Sequence, residues 1–101
     1  MAKVTMNGRF ECHDGKTAEM DAAVGAQIDA LMDDANVEVY SYSRGEGNSY
    51  TFFALFPSME AMQNHGQGDD MQKAMEAFTP LLAGPPDVVV AELVAAKGLG
   101  G

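Results

Sequence analysis

The chain has 101 residues, with 15 Asp and Glu against 6 Lys and Arg, a formal charge of −9, and 47% hydrophobic residues. That length holds one domain with one core, and the single Cys12 leaves the core without an internal disulfide. An acidic chain with no basic stripe repels phosphate backbones and anionic lipid heads, so neither nucleic acid nor a membrane surface is an expected partner. The longest apolar stretches, around Tyr50 to Phe56 and Val88 to Ala96, are too short to span a bilayer. The opening residues, with Lys3 soon followed by Asn7, Gly8 and Arg9, do not read as a secretory signal, and a cytoplasmic protein is expected.

From Val4 to His13 the residues alternate, with Val4, Met6, Phe10 and Cys12 on one parity, which predicts a strand. Asp14-Gly15 is a turn pair. From Lys16 to about Asp34, Met20, Val24, Ile28 and Leu31 recur at helical spacing and predict an amphipathic helix. Asp33 and Asp34 carry the wrong sign for the negative end of its dipole and predict a stop near Met32. Val37 to Arg44 and Ser49 to Phe56 are rich in β-branched and aromatic residues and flank Gly45-Glu46-Gly47-Asn48, the pattern of an antiparallel hairpin. Ser58 caps a short helix running to His65 and closed by Gly66. Asp69 with Gln72 reads as a capping-box variant opening another helix, with Met71, Met75, Phe78 and Leu82 on one face as far as Gly84-Pro85-Pro86. Asp87 to Val94 predicts a last strand. The domain thus occupies residues 1–94, and residues 95–101 form a glycine-rich tail.

The order β-α-β-β-α-α-β predicts a ferredoxin-like α+β fold, a four-stranded antiparallel sheet with its helices on one face. A four-residue hairpin loop pairs Arg44 with Ser49, which puts Tyr40, Tyr42, Phe53 and Leu55 together on one face. Val37, Val39, Tyr50, Phe52, Ala54 and Phe56 take the other, and the last strand is apolar on both sides. One helical layer cannot bury both faces, and each Val, Leu or Phe left uncovered forgoes about 1.5–3 kcal/mol. A homodimer, sheet against sheet, is expected.

Two segments carry a resemblance. Phe56-Pro57-Ser58-Met59-Glu60-Ala61-Met62-Gln63-Asn64-His65 and Phe10-Glu11-Cys12-His13-Asp14-Gly15-Lys16 resemble the antibiotic-biosynthesis-monooxygenase-like domains of the dimeric α+β barrel superfamily. The first is similar to that family's strand-end aromatic, Ser, small-residue helix and closing His. The second is similar to its strand followed by Pro-Gly-Lys, with Asp14 in place of the proline. The likeness runs from about Val4 to Val94. It implies a dimeric α/β barrel with a pocket between helices and sheet in each subunit. It also implies cofactor-independent oxygenation of a small electron-rich aromatic such as a quinol, with no metal or flavin. Haem-degrading relatives place a Trp where this chain has His65 and a haem-ligating His where it has Met75, so no haem is expected. Many members carry a second His at the position of Asp70.

Of the candidate site residues, His65 follows Met62 by three positions and Ala61 by four, so it faces the sheet with the apolar side of its helix. It is the expected proton acceptor or hydrogen-bond partner, although a histidine in a last helical turn can equally bond free carbonyls there. A phenol and an imidazole differ by about 3.5 pKa units, or about 5 kcal/mol, so the pocket must also stabilise a phenolate. Asn64, Tyr40 and Tyr42, with Asn7 and Arg9, are candidate donors, and Phe56 and Met62 are candidate apolar lining. Strand parity leaves open which sheet face lines the pocket.

Cys12 reads as a small buried hydrophobe, and its neighbour His13 points to the opposite face, which removes them as a metal pair. The eight Met residues read as adaptable packing or as a pliable lining for a flat aromatic. Asp33, Asp34, Asp69 and Asp70 read as helix-end residues rather than paired acid-base groups. Gly45-Glu46-Gly47 lacks the setting of a dinucleotide loop. Gly100-Gly101 matches the end of small sulfur-carrier proteins, but those begin with a hairpin. The alternative to an oxygenase is a non-catalytic homodimeric module, binding or structural.

Overall fold

A computed structural model describes residues 2–98. The alternating opening segment forms β1 (Val4–Glu11), followed by α1 (Thr17–Leu31), β2 (Val39–Arg44), β3 (Ser49–Phe56), α2 (Met59–Gly66), α3 (Asp69–Phe78) and β4 (Asp87–Glu92). The strands make one antiparallel sheet in the order β2-β3-β1-β4, the ferredoxin-like βαββααβ arrangement. Of the expected tail, residues 99–101 lie outside the described residues.

Element ends follow local chemistry. Ser58 Oγ accepts from the Ala61 N–H at 3.1 Å and starts α2 as its cap. The expected cap at Asp69 is not formed. Gly68 is the N-cap of α3 and makes no side-chain bond, while Asp69 and Asp70 fall in the first turn, where negative charge is favoured. That helix also stops at Phe78 rather than reaching Leu82: Pro80 has no N–H to continue it, and Thr79–Leu81 tightens into a 3-10 turn. At the far end of β1, Cys12 makes only an isolated bridge to Leu82, so the strand ends before His13.

The hairpin register differs from the expectation by one residue. Arg44 pairs with Tyr50, not Ser49, because the connection takes in Ser49 as well, with the Gly45 N–H on the Ser49 carbonyl at 2.8 Å and Gly47 at φ 64°. A slip of one exchanges the faces of one strand relative to its partner. Tyr40 and Tyr42 therefore share a face with Tyr50, Phe52, Ala54 and Phe56, while Phe53 and Leu55 lie opposite with Val39, Ser41 and Ser43.

The face carrying the tyrosines is the one under the helices. Phe10, Cys12, Met20, Tyr50, Ala74 and Phe78 form its main buried cluster, and Ala54, Phe56 and Ala61 a second one. The opposite face is more polar than expected. Its apolar residues occupy two adjacent rows, Val39-Leu55-Thr5-Ala91 and Ser41-Phe53-Asn7-Val89, and the next row is Ser43-Thr51-Arg9-Asp87. Leu55 is already fully buried, in the row beside the 2.6 Å Lys3–Glu38 ion pair that spans β3 from the start of β1 to the start of β2.

Tyr50 fixes α1 to the sheet. Its ring stacks on Phe10 at 5.1 Å, and its hydroxyl donates to Asp21 Oδ1 at 2.6 Å, with the Thr17 carbonyl at 3.2 Å. Tyr50→Phe is expected to cost about 1–2 kcal/mol, below the full worth of a bond to a charged acceptor because Asp21 is half exposed; a urea-unfolding midpoint equal to that of the wild type would contradict this. Burial is the first cause that pushes all three tyrosines above the ordinary phenol range, joined at Tyr50 by the neighbouring Asp21. The folded chain then keeps protons that the unfolded chain releases above about pH 10, so stability is full below that pH and falls as pH rises beyond it. Phenolate absorbance should stay low through about pH 10 and appear together with unfolding. A smooth titration of three free phenols in the folded chain would refute the burial assigned to them.

Candidate functional site

The largely apolar face under the helices is not completely filled. A cavity of about 250 Å³ lies between the sheet and α3. Its sheet side comprises Met6 and Phe10 from β1, Tyr40 and Tyr42 from β2, Phe52 from β3 and Val88 from β4. Its helix side is Met71, Met75 and Phe78, at spacings of four and three along α3, continued by Leu82 and Pro86. Gly8 makes the floor possible: a Cβ there would collide with the Phe52 ring and come within 2.8 Å of the Asp87 carbonyl. The rings of Tyr40 and Tyr42 are 5.3 Å apart, Tyr42 and Phe52 5.9 Å, and Tyr42 stands edge-on to Phe78 at 6.2 Å.

Among the lining side chains, the phenol oxygens of Tyr40 and Tyr42 are the only nitrogen or oxygen atoms. They are 3.5 Å apart. The Tyr42 hydroxyl donates to Gln27 Oε1, and Gln27 Nε2 donates to Met71 Sδ at 3.6 Å. Gln27, on α1, is only 4% exposed. Desolvation is the first cause that raises the pKa of both phenols, and at Tyr42 the neighbouring Tyr40 raises it further. Both are neutral hydroxyls near pH 7, able to hydrogen-bond a ligand but not to act as phenolate bases.

His65 is 5% exposed and does not line this cavity. Its Nδ1 lies 3.5 Å from Asp34 Oδ2, its ring is 5.6 Å from Phe56 and 5.7 Å from Tyr40, and its Nε2 is buried with no partner among the described residues. Tyr40 thus touches both the cavity and His65. On its other side, His65 joins Asn64 in lining an open cleft with Asp33, Asp34, Asn36, Asp69 and Asp70. Phe56 and Met62 pack with Ala54 and Ala61 instead of lining the cavity. Asn7 and Arg9 lie on the opposite face of the sheet. Among the described residues, no three His, Cys, Asp or Glu side chains converge as a metal site, and no helix is long and apolar enough to cross a membrane.

The structure therefore brings Tyr40 and Tyr42 together at the cavity and sets Asn64, Phe56, Met62 and His65 elsewhere. Gln27 was not singled out by its sequence. The available signal was a polar residue three positions after Val24 and four before Leu31, inside an apolar stripe.

No family model and no curated protein matches the chain. Solved structures do. A protein from Caulobacter crescentus described as a "putative antibiotic biosynthesis monooxygenase" superposes with a TM-score of 0.87 at 22% identity, over 93% of this chain and 92% of its own. A protein of unknown function from Nitrosomonas europaea gives 0.87 at 22% identity over 100% and 98%. A Shewanella oneidensis protein gives 0.81 at 25% identity over 94% of each. Such identities carry the fold. The chain shares the fold of structures that include one described as an antibiotic biosynthesis monooxygenase.

Proposed function

We propose that the chain binds a small flat aromatic bearing a hydroxyl group in the cavity between α3 and the sheet, and oxygenates it without a bound metal or flavin. The observation that carries this reading is the cavity wall, made of aromatic rings, thioethers and aliphatic groups, with two neutral phenols as its only side-chain oxygen or nitrogen groups. Such a wall rewards burial of an aromatic ring and admits one polar substituent at the tyrosine pair. The name of the Caulobacter structure supports the choice of reaction.

In this mechanism the substrate hydroxyl is held at the Tyr40 and Tyr42 oxygens and loses its proton, so that the ring can pass an electron to dioxygen. The two radicals join in a C–O bond. One oxygen atom stays in the product, and the other leaves as water with two hydrogens from the substrate. His65, whose ring lies 5.7 Å from that of Tyr40, is the proton acceptor, and Asp34 beside Nδ1 favours the imidazolium that forms. A second reading is a binding module without catalysis. The observation in its favour is that no ionisable group other than the two high-pKa tyrosines lines the cavity.

We also propose that a second copy covers the open sheet face through Val39, Phe53, Val89 and Ala91, of which Val89 is 64% exposed. Sedimentation of the wild type should give twice the chain mass, and Phe53→Lys should give the chain mass; a monomeric wild type would remove this contact.

Calorimetric titration with 2-naphthol should show saturable binding that Gly8→Ala weakens at least tenfold, because the added methyl displaces Phe52 from the floor. Oxygen uptake with a panel of hydroquinones should be lost in His65→Gln while binding persists. Equal uptake in both proteins would take His65 out of the mechanism, and binding without uptake in the wild type would favour the binding module.

A further inference from the structure

The reading of the cavity as an aromatic site fixes the ligand's shape but not the hydrogen-bonding character of its substituent. That character follows from counting protons along the buried chain behind the wall. The Met71 thioether has no proton and can only accept. Gln27 therefore turns its amide nitrogen toward Met71 Sδ, 3.6 Å away, and its carbonyl oxygen away from it. The reverse orientation would set carbonyl lone pairs against sulfur lone pairs in a buried place.

With Gln27 Oε1 facing Tyr42, the single Tyr42 proton is committed to it. The Tyr42 oxygen then offers only lone pairs across the 3.5 Å to Tyr40. The Tyr40 proton is the one that fills this gap. His65, whose ring lies 5.7 Å from that of Tyr40, does not compete for it, because its Nε2 makes no hydrogen bond among the described residues. With both protons held along the chain, the phenol oxygens turn lone pairs toward the cavity.

We infer that Gln27, oriented by Met71, is a specificity-determining residue that polarises the Tyr42–Tyr40 pair so that the cavity selects ligands that donate a hydrogen bond. A phenol or a reduced hydroquinone fits such a wall, and a quinone, which has acceptors only, is rejected by it. This inference rests on the proposed aromatic site. Gln27 acts through the tyrosines and touches no ligand.

The test compares 2-naphthol with 1,4-naphthoquinone by calorimetric titration of the wild type, Gln27→Leu and Met71→Leu. The wild type should bind the naphthol about tenfold tighter than the quinone, the scale of one hydrogen bond made against one replaced by facing lone pairs. Gln27→Leu frees the Tyr42 proton to turn back along the chain, and the preference should shrink at least fivefold. Met71→Leu keeps volume and apolarity, so it folds if Gln27→Leu does not. Removing the sulfur lets the Gln27 amide reverse, and the preference should shrink in the same direction.

A wild type that binds the quinone as tightly as the naphthol overturns the polarity while leaving the aromatic site standing. A preference unchanged in a folded variant removes Gln27 as its source. Absence of binding by both compounds overturns the site and this inference with it.

Discussion

A side chain in a strand stands on one face of the sheet or on the other, and nothing lies between. In this chain that choice is made at the hairpin, where the connection takes in Ser49 and the last rung joins Arg44 to Tyr50. The register that follows brings Tyr40 and Tyr42 under the helices, beside Phe52 and opposite α3. Without it the cavity would have no polar group, Gln27 would have no partner of its own kind, and His65 would face no phenol ring.

The same rung explains what could be read from the residues. Element types and order were legible because their periods are long and regular: Met20, Val24, Ile28 and Leu31 permit little besides a helix, and the Ser49 to Phe56 run little besides a strand. Register was not legible. Gly45, Glu46, Gly47 and Asn48 serve a loop of four residues as well as one of five, and the difference of one inverts the pattern of one strand against its neighbour. The ends of α3 are illegible for a related reason. An Asp ahead of a helix pattern reads as a cap whether it stands just outside the first turn or just inside it, and Leu82 keeps the apolar spacing beyond Pro80, where the helix has already ended.

For the site, the aromatic residues were legible and their meeting was not. His65 is buried, as its spacing from Ala61 and Met62 implies. Its separation from the cavity depends on the tertiary placement of α2 beside the sheet, which no local pattern encodes. Gln27 was hidden by its own chemistry, since a polar residue on an amphipathic helix normally marks the edge of the solvated side. Only the three-dimensional neighbours, Tyr42 and Met71, turn it into a buried group with both ends of its amide occupied.

The two walls of the cavity are also mechanically unlike. The sheet side is a plate of stacked and tilted rings braced by ladder hydrogen bonds, whereas the α3 side contributes two unbranched thioethers, with Met75 reaching solvent. A flat guest, as proposed, would meet a rigid wall on its sheet side and a compliant one on its helix side. If the proposed aromatic binds there, bulk toward α3 would be accommodated by rotation about methionine bonds, and bulk toward the sheet would not.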